Sequence, residues 1–194
     1  MSASDFSFYF TLGWKHIIST DALDHQLFIL ALAAVYTLGH IRQVLILVTA
    51  FTIGHSLTLV LSVLDVVRFP ADWVEFLIPC TILLTGISNL FRLGKPGDTQ
   101  RLNYFLALFF GLIHGMGFAN AVRIMLARDQ KIGWSLFGFN LGLEVGQIVV
   151  VSLVLLLAKL ALNVLRIRQR DWILFLSSGV IALSLQMVLE RVPF

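Results

Sequence analysis

Apolar residues along this chain come in long, nearly unbroken runs, each closed by charged or turn-forming residues. A helix needs roughly 20 apolar residues to cross the hydrocarbon core of a bilayer. By that measure the runs predict spanning helices at approximately 22–39, 43–67, 72–91, 102–126, 134–162 and 172–189. The connections between them are short, and Arg92–Arg101 is the clearest polar loop. Residues 4–18 are aromatic and interrupted by Gly13. They read as a short interfacial or re-entrant segment, with Tyr9 and Trp14 suited to the headgroup zone. The expected fold is all-α, a polytopic membrane protein of six transmembrane helices plus a short N-terminal interfacial segment, residues 1–194 forming a single membrane domain.

Composition agrees with this reading. The chain is 58% hydrophobic and only 13% charged, where soluble domains carry about 25% charged residues. A net charge of +3 would hint at nucleic acid in a soluble protein, but here the basic residues stand at the ends of apolar runs. They are topology determinants, and no nucleic-acid partner is expected. Eight Lys/Arg lie on the side of Arg42, the 92–101 loop and Arg166–Arg170, against six on the side of Lys15, Arg68 and Arg191. The positive-inside rule then puts both termini on the non-cytoplasmic side. Cys80 is the only cysteine, which excludes an internal disulfide and a thiolate cluster. With no nucleotide-binding glycine loop in the sequence, transport by this chain would be secondary or channel-like.

Ionisable groups inside apolar runs are costly and mark function or tight helix contacts. His114 lies within the fourth run, with Ala107, Gly111, Gly117 and Ala121 on its side of the helix, so neighbouring backbones can approach it closely. His55 lies near the middle of the second run, with Thr52, Thr58 and Ser62 within about 60° of it. In the fifth, Asn140, Glu144 and Gln147 share one face, while Gly138, Gly142 and Gly146 form a small-residue seam on the opposite face. These positions define a mid-depth tier of His55, His114 and Glu144. A second tier nearer the terminal side holds Asp24 and His25 of the first run and Glu75 of the third, where Pro79 frees the Glu75 carbonyl and kinks the helix. Ser56, Asn120 and His16 add polar lining. Each histidine also has a plainer reading as an interhelical hydrogen-bonding group. Imidazole with carboxylate, without thiolates, suits Ni²⁺, Co²⁺, Zn²⁺ or Fe²⁺. Only four methionines, in no repeating motif, argue against Cu⁺.

Gly13-Trp-Lys-His16, Asp24-His25-Gln-Leu-Phe28, Thr49-Ala-Phe-Thr-Ile-Gly-His55-Ser-Leu-Thr58, Val74-Glu75 and Gly111-Leu-Ile-His114-Gly-Met-Gly-Phe118 follow one another through the first two-thirds of the chain. In these stretches the sequence resembles the HupE/UreJ family, membrane proteins associated with hydrogenase and urease gene clusters. The Asn140–Gln147 stretch extends the similarity. The resemblance implies nickel or cobalt permeation in a bacterial inner membrane, with Asp24, His25, His55, Glu75 and His114 as its polar residues. One departure stands out. The family's first motif sets its histidine six residues before the Asp-His pair, whereas His16 precedes Asp24 by eight.

The leading expectation is therefore a secondary carrier or facilitator for a divalent transition metal, nickel first, with cobalt or zinc as alternatives. Its partners are the lipid bilayer, the metal ion and either further copies of itself or a larger membrane complex. An intramembrane metallohydrolase is the alternative, with zinc on His55, His114 and Asp24 or His25 and with Glu144 as base. A third possibility is a membrane subunit whose histidines only hold helices together.

Overall fold

The computed structural model describes residues 3–91, 93, 100–126 and 132–193, with the backbone alone at 3–4, 21, 100–102, 119–126 and 132. The described residues form seven α-helices and no strand. They are α1 (Ala3–Ile18), α2 (Leu23–Ala33), α3 (Ile41–Val63), α4 (Ala71–Phe91), α5 (Gln100–Leu126), α6 (Ile132–Lys159) and α7 (Gln169–Glu190). The stretches Leu38–Val63, Ala71–Phe91, Gly133–Val164 and Gln169–Glu190 are each long and apolar enough to cross a membrane.

Helices α3 to α7 lie on the five later apolar runs, and local chemistry sets their ends. Asp65 closes α3 in a left-handed conformation (φ 63°) and holds Arg68 in an ion pair. Asp72 sits in the first turn of α4, where a negative charge suits the helix dipole. Helix α6 runs on into a π-helical turn at Leu160–Val164, and Arg166 then takes a left-handed conformation (φ 54°) before α7 begins.

The N-terminal quarter departs from the expectation. Residues 3–18 do not form a short interfacial piece but a 16-residue helix lying along α6. Gly13 does not interrupt it. A Cβ at Gly13 would come within 3.0 Å of the Phe139 carbonyl oxygen, and one at Gly142 equally close to that of Phe10. The missing side chains thus let two backbones touch. The pairs Phe6 with Gly138, Phe10 with Gly142 and Ile17 with Gly146 advance together, so α1 runs parallel to α6.

The predicted first span at 22–39 is also corrected, because α2 has only 11 residues and reaches about 16 Å, half the hydrocarbon thickness. It begins where α1 stops, beside the middle of α6, and ends where the Ala31 carbonyl accepts from Asn89 near the far end of α4. Helices α1 and α2 are therefore two halves of an interrupted helix, broken at 19–22 by an extended Ser19 and a 3₁₀ turn. Broken helix ends leave carbonyls unpaired. Gln26 supplies the donor, its Nε2 bonding to the carbonyls of Ile17 (3.0 Å) and Ser19 (2.9 Å). Gln26→Leu should strand the Ile17 carbonyl, at a cost of about 1–3 kcal/mol for a buried group, while the Ser19 carbonyl keeps the N–H of Ala22 (3.1 Å). A melting temperature equal to wild type would show that the break is held in some other way.

A second parallel pair, α3 with α5, repeats the α1–α6 contact. Gly54 meets the Leu108 carbonyl and Gly111 meets that of Phe51, so the two backbones interlock as at Gly13 and Gly142. Phe10-Thr11-Leu12-Gly13 corresponds to Phe51-Thr52-Ile53-Gly54, and Gly142–Gly146 corresponds to Gly111–Gly115. Thr58 adds a bond from its hydroxyl to the Leu112 carbonyl (2.8 Å). Bonds from Thr49 to Glu144 (2.9 Å) and from Thr52 to Gln147 (2.7 Å) join the two pairs.

Candidate metal site between the interrupted helix and the glycine-locked pairs

Where the halves of the interrupted helix meet, four histidines from four helices converge. His16 comes from the last turn of α1 and His25 from the first turn of α2, while α3 and α5 contribute His55 and His114. Ring centroids are 4.6 Å apart for His16 and His25, 5.9 Å for His16 and His55, 5.9 Å for His25 and His55, and 5.1 Å for His25 and His114. One ring nitrogen each of His16, His25 and His55 can be chosen so that all three lie within 4.8 Å of one another. Among the described residues, this is the set of three or more His, Cys, Asp or Glu groups spaced to hold a metal ion.

Hydrogen bonding in the site is incomplete in a way that points to a ligand. Buried polar atoms nearly always find a partner. Yet Nε2 of His16, Nε2 of His25, both nitrogens of His55 and Nδ1 of His114 are buried without one. Their surroundings are aromatic. Phe118 lies against His16 (4.0 Å) and stacks on Phe139 (5.2 Å), while Phe28 and Phe51 each lie 5.1 Å from His114. Bare imidazole nitrogens within an apolar wall are the type of donor that nickel, cobalt and zinc take.

Asp24 stands behind His25. Its Oδ1 accepts from the backbone N–H of His25 (2.8 Å) and lies 3.0 Å from that ring's Nδ1. The carboxylate thereby turns Nε2 toward the cluster, the outer-shell arrangement common to metal-binding histidines. Its other oxygen lies 3.8 Å from the Arg191 guanidinium at the end of α7. A cavity of about 620 Å³ leads from His16, His25 and His114 past Asp24, Glu75 and Arg191 toward the end of the bundle where α4 begins and α7 stops. In the opposite direction Phe28, Phe51 and Phe110 pack together, with Phe28 4.8 Å from Phe51 and 6.0 Å from Phe110. Beyond them a smaller cavity of about 180 Å³ holds Tyr36, Asn89 and Asn103.

The structure therefore sorts the residues singled out in the sequence. His25 and His55 are in the trio, His114 is beside it, and Asp24 and Glu75 line the approach. Glu144 accepts from Thr49 and is not in the trio, and Thr52 with Gln147 forms part of the same α3–α6 contact. Asn140 is half-buried with an unpartnered Oδ1, Ser56 is half-buried, and the side chain of Asn120 lies outside the described residues. His16, read from the sequence as lining, is central. The turn at 19–22 separates it from Asp24 in the sequence, and its ring lies 4.6 Å from that of His25. Gln26 and Thr81 belong to the site's surroundings without standing out in the sequence. Both are polar residues inside apolar stretches, and that was the available signal.

Compared with family models, the chain matches the one described as HupE / UreJ protein over residues 1–191. No curated protein and no solved structure matches it.

Proposed function

The chain belongs to the HupE / UreJ family, and from that premise we propose that it is a secondary carrier or facilitator for a divalent transition metal ion, nickel or cobalt before zinc. The family is associated with nickel and cobalt transport or accessory roles, and the chain is an integral membrane protein. The observation that carries the reading is the convergence of His16, His25 and His55 at the break of an interrupted helix. Secondary carriers place their cargo at such breaks, near mid-membrane, where helix ends and freed backbone face a cavity. On this reading α1 and α2 make one passage together, giving six passages with α3 to α7. Both termini lie outside the cytoplasm of a bacterial inner membrane. The cavity by Glu75 then faces the non-cytoplasmic side. The metal passes the carboxylates of Glu75 and Asp24, sheds water and is held by the imidazoles, while the cluster of Phe28, Phe51 and Phe110 closes the other side.

A second reading has one observation in its favour. Three imidazoles with a fourth position toward a cavity also describe a catalytic zinc site. Transport separates the two. Purified protein in liposomes should admit external Ni²⁺ or Co²⁺ to a trapped indicator faster than protein-free liposomes. Equal rates in both, with zinc held stoichiometrically and not exchanged, would replace the carrier with the hydrolase.

A further inference from the structure

His114 has one nitrogen engaged and one bare, and the engaged one meets Thr81 of α4. The Thr81 hydroxyl lies 2.7 Å from the carbonyl oxygen of Ile78 and 3.0 Å from Nε2 of His114. A hydroxyl has one proton and two lone pairs. The carbonyl can only accept, so the shorter contact takes the proton of Thr81. Its oxygen is then left to accept, and Nε2 of His114 must be the donor. The opposite assignment would place an N–H on Nδ1, which is buried without a partner, and orphaned buried N–H groups are rare. Both considerations give one tautomer, with Nε2 protonated and Nδ1 carrying the free lone pair.

We infer that Thr81 is a positioning residue that fixes His114 in the Nε2–H tautomer, presenting Nδ1 as a fourth nitrogen ligand beside His16, His25 and His55. This rests on the proposed metal site and extends it to its coordination. His25 is held the other way round. The Asp24 carboxylate accepts a hydrogen bond from Nδ1–H, which leaves Nε2 bare. A carboxylate on one ring and a hydroxyl on the other thus fix the tautomers of two imidazoles whose rings lie 5.1 Å apart and edge to face, His114 standing beside the trio of His16, His25 and His55. Outer-shell partners of this kind change metal affinity about 10- to 100-fold when removed.

The test uses the full-length protein in detergent as wild type, Thr81→Val and Thr81→Ser. Valine keeps the shape without the hydroxyl, and serine restores the hydroxyl. Nitrogen-15 NMR of metal-free protein labelled at histidine, with the His114 signals identified by their loss in His114→Gln, should show Nε2–H and a bare Nδ1 in wild type and Thr81→Ser. In Thr81→Val it should show a mixture of tautomers. Titration with Ni²⁺ alone should then give affinity about 10- to 100-fold weaker for Thr81→Val and near wild type for Thr81→Ser. A wild-type His114 protonated at Nδ1, or a Thr81→Val protein with unchanged tautomer and affinity, overturns the inference. A wild-type protein that shows the Nε2–H tautomer but binds no Ni²⁺ overturns the metal site while supporting Thr81's control of the ring, so the two failures are told apart.

Discussion

His55→Leu should abolish high-affinity metal binding and leave the metal-free protein at least as stable as wild type. The two effects have opposite signs for one reason. Both nitrogens of His55 are buried without a partner, so in the metal-free protein the ring carries an uncompensated desolvation cost of about 1–3 kcal/mol for each such group. Leucine has similar bulk, needs no partner and would pack among Phe51, Phe139 and Leu59. With metal present the same lone pair is one of three converging donors. Its loss should weaken binding by more than the ~100-fold that removing an outer-shell partner can cost. Calorimetric titration with Ni²⁺ and a melting curve in chelator measure the two effects separately. If His55→Leu binds nickel normally, the trio is not the site. If it binds nothing but melts well below wild type, the histidine holds helices together, and the subunit reading takes the carrier's place. His25→Leu makes the contrast. It removes the ring N–H that Asp24 accepts as well as the bare Nε2, so it should lose both binding and stability.

The parts of this fold that were legible in the sequence are those fixed by length and burial. Five apolar runs became five helices because a stretch of some 20 residues that cannot face water has few other solutions. The break at 19–22 was not legible. Ser19-Thr20-Asp21-Ala22 contains neither proline nor glycine, and the glycine nearby, Gly13, suggested an interruption where its real use is close backbone contact. Small residues report both breaks and contacts, and only the neighbouring helix distinguishes them. Glu144 shows a related limit. Helical periodicity correctly grouped it with Gln147, but depth and face do not say which helix lies opposite. The partner turned out to be Thr49 of α3. Internal likeness is ambiguous in the sequence for the same reason. Phe51–His55 resembles Phe110–His114 over five residues, whereas the segment that occupies the equivalent structural position is Phe10–Gly13. Packing against a glycine-bearing partner separates the true correspondence from the coincidental one.

That correspondence leads to the second large effect. Gly142→Ala and Gly111→Ala should each loosen one locked pair, and each by more than a helix-propensity scale would allow. In an ordinary exposed helix position, glycine to alanine stabilises by about 0.5–1 kcal/mol. Gly179 of α7 is such a position, with nothing within 4 Å of an added Cβ, and Gly179→Ala should raise the melting temperature slightly. At Gly142 and Gly111 the added carbon would meet the carbonyl oxygens of Phe10 and Phe51 at less than 3.0 Å. Those atoms are backbone and cannot rotate away, so the helices must separate, at or above the upper end of the ~1–3 kcal/mol usual for overpacking. The two sites should also differ from each other in function. Separating α1 from α6 displaces His16, whereas separating α3 from α5 displaces His55 and His114 together, so Gly111→Ala should weaken nickel binding the more. Melting curves and nickel titrations on the three single variants test this ordering. If Gly142→Ala or Gly111→Ala matched Gly179→Ala in stability, the interlocked backbones would not be what holds the site together.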